Sequence, residues 1–274
     1  MHVAIERGGR FTDQRIAWER PSSPGGSLVI DADVDLAFRP DGRALLSWVA
    51  PGADQTATVF GATSNRAGRF GPVTQLGEFR ARVFASPQLM TDARGGQVIV
   101  WTQSDDVIGE QTLYASTRSP GGRFGPPQVI TRGEFSFANT AIGARGDAAV
   151  TWSRSVDRRA VVYVSRRPRG GAFGRPVRLT RERIDEDTAT GVDGRGRTMV
   201  LYAIRSRHGQ VRARIAQPGR RFGRPTTVSK RSGIRLGCFQ PKLAVAPDGH
   251  AIGVWRCMGD RLDLDGAQGA AYDP

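Results

Sequence analysis

A glycine followed six residues later by a tryptophan or tyrosine occurs five times along the chain, and the aromatic residues are 53, 51, 50 and 53 positions apart. A phenylalanine in motifs such as RFGP and RFGRP follows the aromatic residue by 20 to 23 positions in four repeats. Two markers that stay in phase over most of the chain indicate an internally repeated fold. The aromatic column is Trp48, Trp101, Trp152, Tyr202 and Trp255, and the phenylalanine column is Phe70, Phe124, Phe173 and Phe222.

Each repeat contains short runs with the composition of β-strands. In the first repeat, residues 34–39 and 43–48 flank a Pro-Asp-Gly turn, and further runs follow at 56–63 and 73–76. Four short antiparallel strands per repeat, with no helical period, are typical of a propeller blade. The sequence therefore predicts an all-β protein, a β-propeller of about five four-stranded blades, with six blades as the alternative.

The repeats place the blade boundaries within one predicted propeller domain, residues 1–274. The internal repeats span about 31–80, 81–132, 138–182 and 188–230, and a closing blade combines 238–274 with 1–18. Pairing of N- and C-terminal strands would remove open sheet edges. Residues 1–10 and 269–273 both have the pattern of a third strand, so five or six blades, or a fragment of a longer protein, remain open.

The recurring positions have a structural explanation. A glycine before the second strand supplies the positive φ that a tight turn needs. The large aromatic ring fills the gap between neighbouring blades, where it buries much apolar surface. We therefore expect both aromatic columns to pack blades together rather than bind a ligand.

The turn between the third and fourth strands carries a family resemblance. Residues 116–130, STRSPGGRFGPPQVI, resemble a degenerate Asp-box, the bacterial neuraminidase-type repeat of sialidase-like propellers. Gly121 and Phe124 match the motif's glycine and tryptophan, whereas its aspartate is replaced in every repeat. The resemblance implies the fold and not the activity, because Asp-boxes are structural turns distant from the active site in that family. The Pro-Asp-Gly turns also resemble the propeller repeats of Tol-system periplasmic proteins.

Candidate catalytic residues are sparse. The three histidines, His2, His208 and His250, are far apart in sequence, which argues against a histidine metal site or a Ser/His/Asp triad. Sialidase-like hydrolysis would require an arginine cluster, a tyrosine nucleophile and acidic partners. Tyr114 and Tyr163 align with each other in the third strand and have a structural explanation. We identify no catalytic constellation and expect no metal or cofactor.

Alternating aspartates offer one further candidate. Asp31, Asp33 and Asp35 would share one face of a strand. Clustered carboxylates suit Ca²⁺, but calcium loops use more oxygen donors at defined spacing. A solvated acidic surface is therefore the preferred interpretation.

Positive charge is concentrated in one sector of the chain. The net charge is +14, and residues 154–235 contain 22 basic and 6 acidic residues, against 18 and 20 elsewhere. Such a sector attracts polyanions. Acidic glycan, cell-wall polymer or a protein partner are the expected ligands, and too few free aromatics remain to favour nucleic acid, without excluding it. The predicted polyanion-binding residues are Arg166, Arg167, Arg205, Arg207, Arg212, Arg214, Arg220 and Arg221.

Cys238 and Cys257 are the only cysteines, and they lie nearly opposite each other if strands pair around the turn at 247–249. A disulfide is preferred over two buried thiols, which points to an oxidising, extracytoplasmic compartment. The N-terminus lacks the pattern of a signal peptide, and no 18-residue apolar stretch could span a membrane. We expect a monomer.

These observations predict a non-enzymatic binding or scaffold propeller that presents a ligand- or partner-binding face, including one for acidic glycans or other polyanions. The alternative is a sialidase-like glycoside hydrolase or carbohydrate-binding propeller. The lack of a recognisable catalytic constellation favours the first reading.

Overall fold

A computed structural model of the chain describes residues 2–7, 10–16, 28–30, 33–51, 56–80, 83–104, 110–156, 159–181, 184–204, 210–229, 237–258 and 266–274. These residues form strands and turns and no helix. Accordingly, no helix that could cross a membrane is found among them. The chain divides into two compact units, residues 1–129 and 130–274.

Unit 1 contains a hairpin and two sheets. The hairpin consists of β1 (His2–Arg7) and β2 (Arg10–Arg15). The first sheet has four antiparallel strands in sequential order, β4 (Val34–Phe38), β5 (Ala44–Pro51), β6 (Thr56–Thr63) and β7 (Thr74–Arg80). The second contains β8 (Val83–Thr91), β9 (Gln97–Ser104), β10 (Gln111–Arg118) and β11 (Gln128–Arg132), with β3 (Leu28–Ile30) parallel to β8. The boundary between the two units falls within β11, after residue 129.

Unit 2 contains three sheets whose strands follow the order of the chain. The first comprises β12 (Ser136–Ile142), β13 (Ala148–Val156), β14 (Arg159–Arg167) and β15 (Val177–Arg178). The second comprises β16 (Ile184–Val192), β17 (Thr198–Ile204), β18 (Gln210–Ala216) and β19 (Thr226–Thr227). The third comprises β20 (Gly237–Val245), β21 (Ala251–Met258) and β22 (Gly266–Tyr272).

These five sheets confirm the predicted fold class, an all-β propeller of about five blades. In the last sheet the third position is taken by β22, whereas β1 pairs with β2. The C-terminal candidate thus supplies the third strand of its own repeat. The single-domain boundaries and ring closure through residues 1–18 stay predictions.

The glycine column occupies the tight turn before the second strand of each sheet. All five glycines have positive φ, from 79° at Gly42 to 103° at Gly249. A side chain at these positions would be strained, because only glycine adopts this region freely. The periodic glycines in the sequence therefore reflect a backbone requirement of the turn.

In unit 1, Trp101 of the aromatic column lies between the two sheets. Trp101 is 1% exposed and packs with Val59 and Phe79 of the first sheet. Its ring centroid lies 4.6 Å from that of Phe79 and 5.5 Å from that of Tyr114. Tyr114 thus packs against the column, as the repeat alignment predicts. Trp48, which is 2% exposed, lies on the opposite face of the first sheet and packs in a separate cluster with Ile16 and Phe70.

In unit 2 the aromatic residues are buried in the same way. Tyr202 has no exposed surface and packs with Val162 and Val164 of the preceding sheet. Trp255 is 3% exposed and packs with Leu201 and Val211. Trp101, Tyr202 and Trp255 thus each pack against the sheet that precedes their own within the same unit.

Replacing the buried ring of Trp152 should destabilise the protein by about 3–5 kcal/mol, because Trp→Ala leaves a cavity where an indole packed. Trp152 is 0% exposed and stacks on Tyr163. Guanidinium unfolding of Trp152→Ala measures the loss. Val129→Ala, at a side chain 41% exposed, is the control and should change stability by about 0.5 kcal/mol or less. Equal midpoints for the two variants would contradict the assigned packing.

Cys238 and Cys257 face each other across β20 and β21. The strand register pairs them directly, their Cα atoms are 4.0 Å apart, and a disulfide joins them. Both side chains are buried, at 1% and 0% exposure. The bond crosslinks the first two strands of the last sheet.

Reduction of this disulfide should lower the free energy of unfolding by about 3 kcal/mol, because the crosslink closes a short loop and restricts the unfolded chain. The sequence separation is 19 residues. Urea unfolding with and without reductant measures the effect, and the double variant Cys238→Ala/Cys257→Ala should not respond to reductant. Free thiols in the unreduced, denatured protein would refute the pairing.

Candidate functional site

Two aspartates connect the first strands of the two sheets in unit 1. Asp33 precedes β4, and its Oδ2 accepts a hydrogen bond of 2.7 Å from the backbone N–H of Leu89 on β8. Its Oδ1 accepts from the N–H of Val34 at 3.0 Å. Asp35 Oδ2 accepts from the hydroxyl of Thr91, also on β8, at 2.5 Å. Both carboxylates are half-buried and lie on one face of the strand.

The environment of Asp35 disfavours its ionised form. Burial is the main cause that raises the pKa of this carboxyl above its ordinary value of 3.8, and the nearby negative charge of Asp33 acts in the same direction. The hydrogen bond from Thr91 opposes the shift without cancelling it. Two neighbouring carboxylates, one with a raised pKa, are the arrangement from which general acids are made. From the sequence, Asp31, Asp33 and Asp35 are expected on one face as a solvated acidic surface; Asp31 lies outside the described residues, and the other two are half-buried.

A second site is an arginine-rich cleft in unit 2, between the outer strands of its first two sheets. The cleft has a volume of about 910 Å³. Its walls come from the end of β14, residues 174–181 around β15, β18 and the turn at 219–225. The arginines that line it are Arg166, Arg175, Arg178, Arg181, Arg214, Arg220 and Arg221. We call these residues and the space between them the arginine cleft.

Arg166 holds one wall of the arginine cleft against the other. Its Nη1 donates to the carbonyl of Gln217 at 3.1 Å and its Nη2 to the carbonyl of Arg220 at 2.5 Å. The guanidinium also lies 5.1 Å from the ring centroid of Phe222. Burial lowers the pKa of Arg166, although an arginine stays protonated in proteins.

Arg214 also donates hydrogen bonds to backbone carbonyls in the arginine cleft. Its Nε donates to the carbonyl of Gly223 at 2.8 Å and its Nη2 to that of Phe222 at 3.2 Å. Its Nη1 donates to the carbonyl of Leu179 in the preceding sheet. Arg166 and Arg214 therefore build the site by satisfying backbone carbonyls across the seam.

The structure brings together only part of the predicted polyanion-binding set. Arg166, Arg214, Arg220 and Arg221 line the arginine cleft. Two others point elsewhere, because Arg167 donates to the carbonyl of Gly146 and Arg212 to the side chain of Gln210. Arg205 and Arg207 lie outside the described residues.

Sequence reasoning missed three arginines that the cleft contains. Arg175, Arg178 and Arg181 occur at intervals of three residues around the short fourth strand. The signal was present in the RFGRP-type marker, whose extra arginine replaces the proline of RFGP. Nothing in the linear sequence shows that this segment faces the turn at 219–225.

No group of three or more His, Cys, Asp or Glu side chains that could hold a metal ion occurs within the described part of the chain.

Comparison with known proteins gives structural neighbours only. No family model matches the sequence, and no curated protein matches it. An α-L-arabinofuranosidase of Fusarium graminearum, solved with an iminosugar inhibitor, superposes with a TM-score of 0.51 at 10% identity, covering 99% of this chain and 84% of that one. An α-L-arabinanase of Penicillium chrysogenum, complexed with arabinobiose, gives a TM-score of 0.51 at 13% identity and the same coverages. A Dyadobacter fermentans protein of unknown function gives 0.50 at 11% identity, covering 91% and 88%.

These neighbours correct the functional prediction. The arabinofuranosidase and the arabinanase are β-propeller glycoside hydrolases, so the prediction of a non-enzymatic binding or scaffold propeller is wrong. The alternative drawn from the sequence, a glycan-acting propeller, agrees better with them. At this identity the likeness itself establishes the fold alone.

The raised pKa of Asp35 predicts a pH dependence of stability. The folded state holds this proton more tightly than the unfolded chain, so its advantage is complete below the unfolded pKa and is lost as pH rises through the raised folded pKa. Residue 35 does not titrate in Asp35→Asn, so the stability of this variant relative to wild type should increase as pH rises from below 3.8 through the raised pKa of Asp35. Urea unfolding at several pH values measures this difference.

Asp41→Asn, at a carboxylate in the turn after β4, is the control for the loss of one negative charge. A constant difference between wild type and Asp35→Asn across the pH range would show that the Asp35 carboxyl titrates alike in both states.

Proposed function

We propose that this protein is a glycoside hydrolase of the β-propeller type in which Asp35 acts as the general acid. The observation that carries the proposal is a half-buried carboxyl with a raised pKa beside a second carboxylate. The glycoside hydrolases among the structural neighbours support the choice of reaction class.

Glycoside hydrolysis requires such a pair. Most glycosidases use two carboxyl groups, one of which must carry a proton at the working pH to protonate the leaving oxygen. Burial and the negative charge of Asp33 both keep a proton on Asp35. The same two causes would make its ionised form a strong enough base to regain a proton at the end of each turnover.

In the proposed reaction, Asp35 donates its proton to the glycosidic oxygen while the bond from that oxygen to the anomeric carbon breaks. Water supplies the hydroxyl to the anomeric carbon, and its remaining proton returns to the carboxylate pair. Asp33 is held by two backbone N–H groups, which fix the carboxylate next to Asp35. Leu89 and Thr91 of β8 thus position both acidic side chains.

The finer resemblance to Asp-box propellers is part of the same proposal. The glycines of that turn, at 68, 121, 170 and 219, all have positive φ between 68° and 78°. A glycine of this conformation agrees with the turn that the degenerate motif would form. We assign these turns to the scaffold, away from the reacting groups.

The test is release of reducing ends from a panel of polysaccharides and oligosaccharides, including arabinan, arabinobiose and sialylated glycans. Asp35→Asn should lower kcat by about 10²–10⁴-fold with little change in KM, since a general acid contributes about that factor. Wild-type kcat should fall as pH rises through the pKa of Asp35, because only the protonated carboxyl donates.

Asp41→Asn is again the matched control and should keep wild-type kcat. Hydrolysis that persists in Asp35→Asn would remove Asp35 from the mechanism. A panel in which no glycosidic bond is cleaved by folded wild-type protein would refute the proposed activity as a whole.

A further inference from the structure

The arginine cleft contains positive charge that its own walls do not neutralise. Seven arginines and no acidic residue are found among its described lining residues. Within the described residues, the guanidinium groups of Arg175, Arg220 and Arg221 have no hydrogen-bond or ion-pair partner, and all three residues are exposed. Like charges that line one cleft repel one another, and a bound anion would offset this repulsion.

Two of the other arginines in the cleft are held in fixed positions. Arg166 and Arg214 are tied to backbone carbonyls on both sides of the seam, so they cannot swing away from their neighbours. Other basic side chains can become neutral by losing a proton when they are buried. Arginine keeps its proton at physiological pH, so its positive charge remains. An anion that enters the cleft relieves repulsion that the fold itself maintains.

The shape and the side chains favour an acidic sugar chain over nucleic acid. Phe222 is the only aromatic residue among the lining residues, and the guanidinium of Arg166 lies over its ring. The cleft therefore lacks the free stacking surfaces on which single-stranded bases bind. Planar guanidinium groups do match carboxylate and sulfate oxygens, which they can bind in pairs. A volume of about 910 Å³ is enough for several sugar rings, since drug-sized ligands occupy sites of about 300–1,000 Å³.

We propose that the arginine cleft binds a polysaccharide whose sugars carry carboxylate or sulfate groups, and that Arg175, Arg220 and Arg221 make the contacts to those groups. Arg166 and Arg214 act as positioning residues that hold the two walls together. The inference rests on the proposed function, because it gives a glycan-cleaving enzyme an accessory site for acidic substrates. It concerns a different set of residues from the carboxylate pair in unit 1.

The experiment measures binding rather than turnover, with the full chain carrying Asp35→Asn to prevent cleavage. Oligogalacturonate and heparin are the carboxylated and sulfated probes, neutral arabinan is the uncharged probe, and Kd is measured by calorimetry near 0.15 M salt. Arg175→Ala/Arg220→Ala/Arg221→Ala should weaken binding of at least one acidic probe about tenfold or more, equivalent to about 1.4 kcal/mol. Neutral arabinan should be unaffected.

The matched control removes three charges outside the cleft. Arg94, Arg123 and Arg145 are exposed turn residues, and Arg123 occupies the place of Arg221 in its own repeat. Arg94→Ala/Arg123→Ala/Arg145→Ala should change Kd by about twofold or less, since none of the three lines the cleft and interactions between exposed charges are weakened at that salt. Thermal unfolding of both triple variants verifies that each is folded.

The inference would be overturned if neither acidic probe bound, or if the two triple variants weakened binding equally. Single-stranded DNA is a further probe, and binding of it as tight as that of the acidic glycans would also overturn the inference. These outcomes are separable from failure of the proposed function. Acidic glycan bound by the cleft without any hydrolysis would refute the enzyme and keep the binding site. Hydrolysis of neutral arabinan, with no binding of either acidic probe, would refute the binding site and keep the proposed enzyme.

Discussion

Burial of an aromatic ring between a sheet and the sheet before it, as at Trp101, Tyr202 and Trp255, is the interaction on which the rest of the structure depends. Trp101 and Tyr202 are almost entirely removed from water in their respective units. Aromatic side chains of this kind bury more apolar surface than any other residue, and short strands offer few alternatives. The rings fix the distance between sheets, and that spacing determines which side chains meet across each seam.

Both candidate sites lie on these seams. In unit 1 the contact between first strands brings Asp33 and Asp35 against Leu89 and Thr91, which partly removes the carboxyls from water. In unit 2 the contact between outer strands brings Arg166 to the carbonyls of Gln217 and Arg220. The packing thus converts ordinary surface charges into groups with altered properties, because burial and proximity both act on charge. Such groups are functional candidates for a physical reason.

The two sites differ in the chemistry that each can supply. A carboxyl that keeps its proton can protonate a leaving oxygen, and a cleft with excess fixed positive charge can retain an acidic chain. Neither property depends on a metal or a nucleotide. The structural neighbours include an arabinofuranosidase and an arabinanase. Proteins with this fold can therefore be glycoside hydrolases.

The sequence by itself determined the repeat, the strand order within each repeat and the all-β propeller class, because glycine turns and buried rings recur with the period of a blade. Tyr114 and Tyr163 were also placed correctly in the packing, since they align with each other across repeats. Only the tertiary structure decided which charges meet. Arg166 and Arg220 are 54 residues apart, as Asp33 and Leu89 are 56 apart, and no local pattern encodes such a contact. The raised pKa of Asp35 likewise depends on burial by a neighbouring sheet, which a linear pattern of alternating aspartates cannot report.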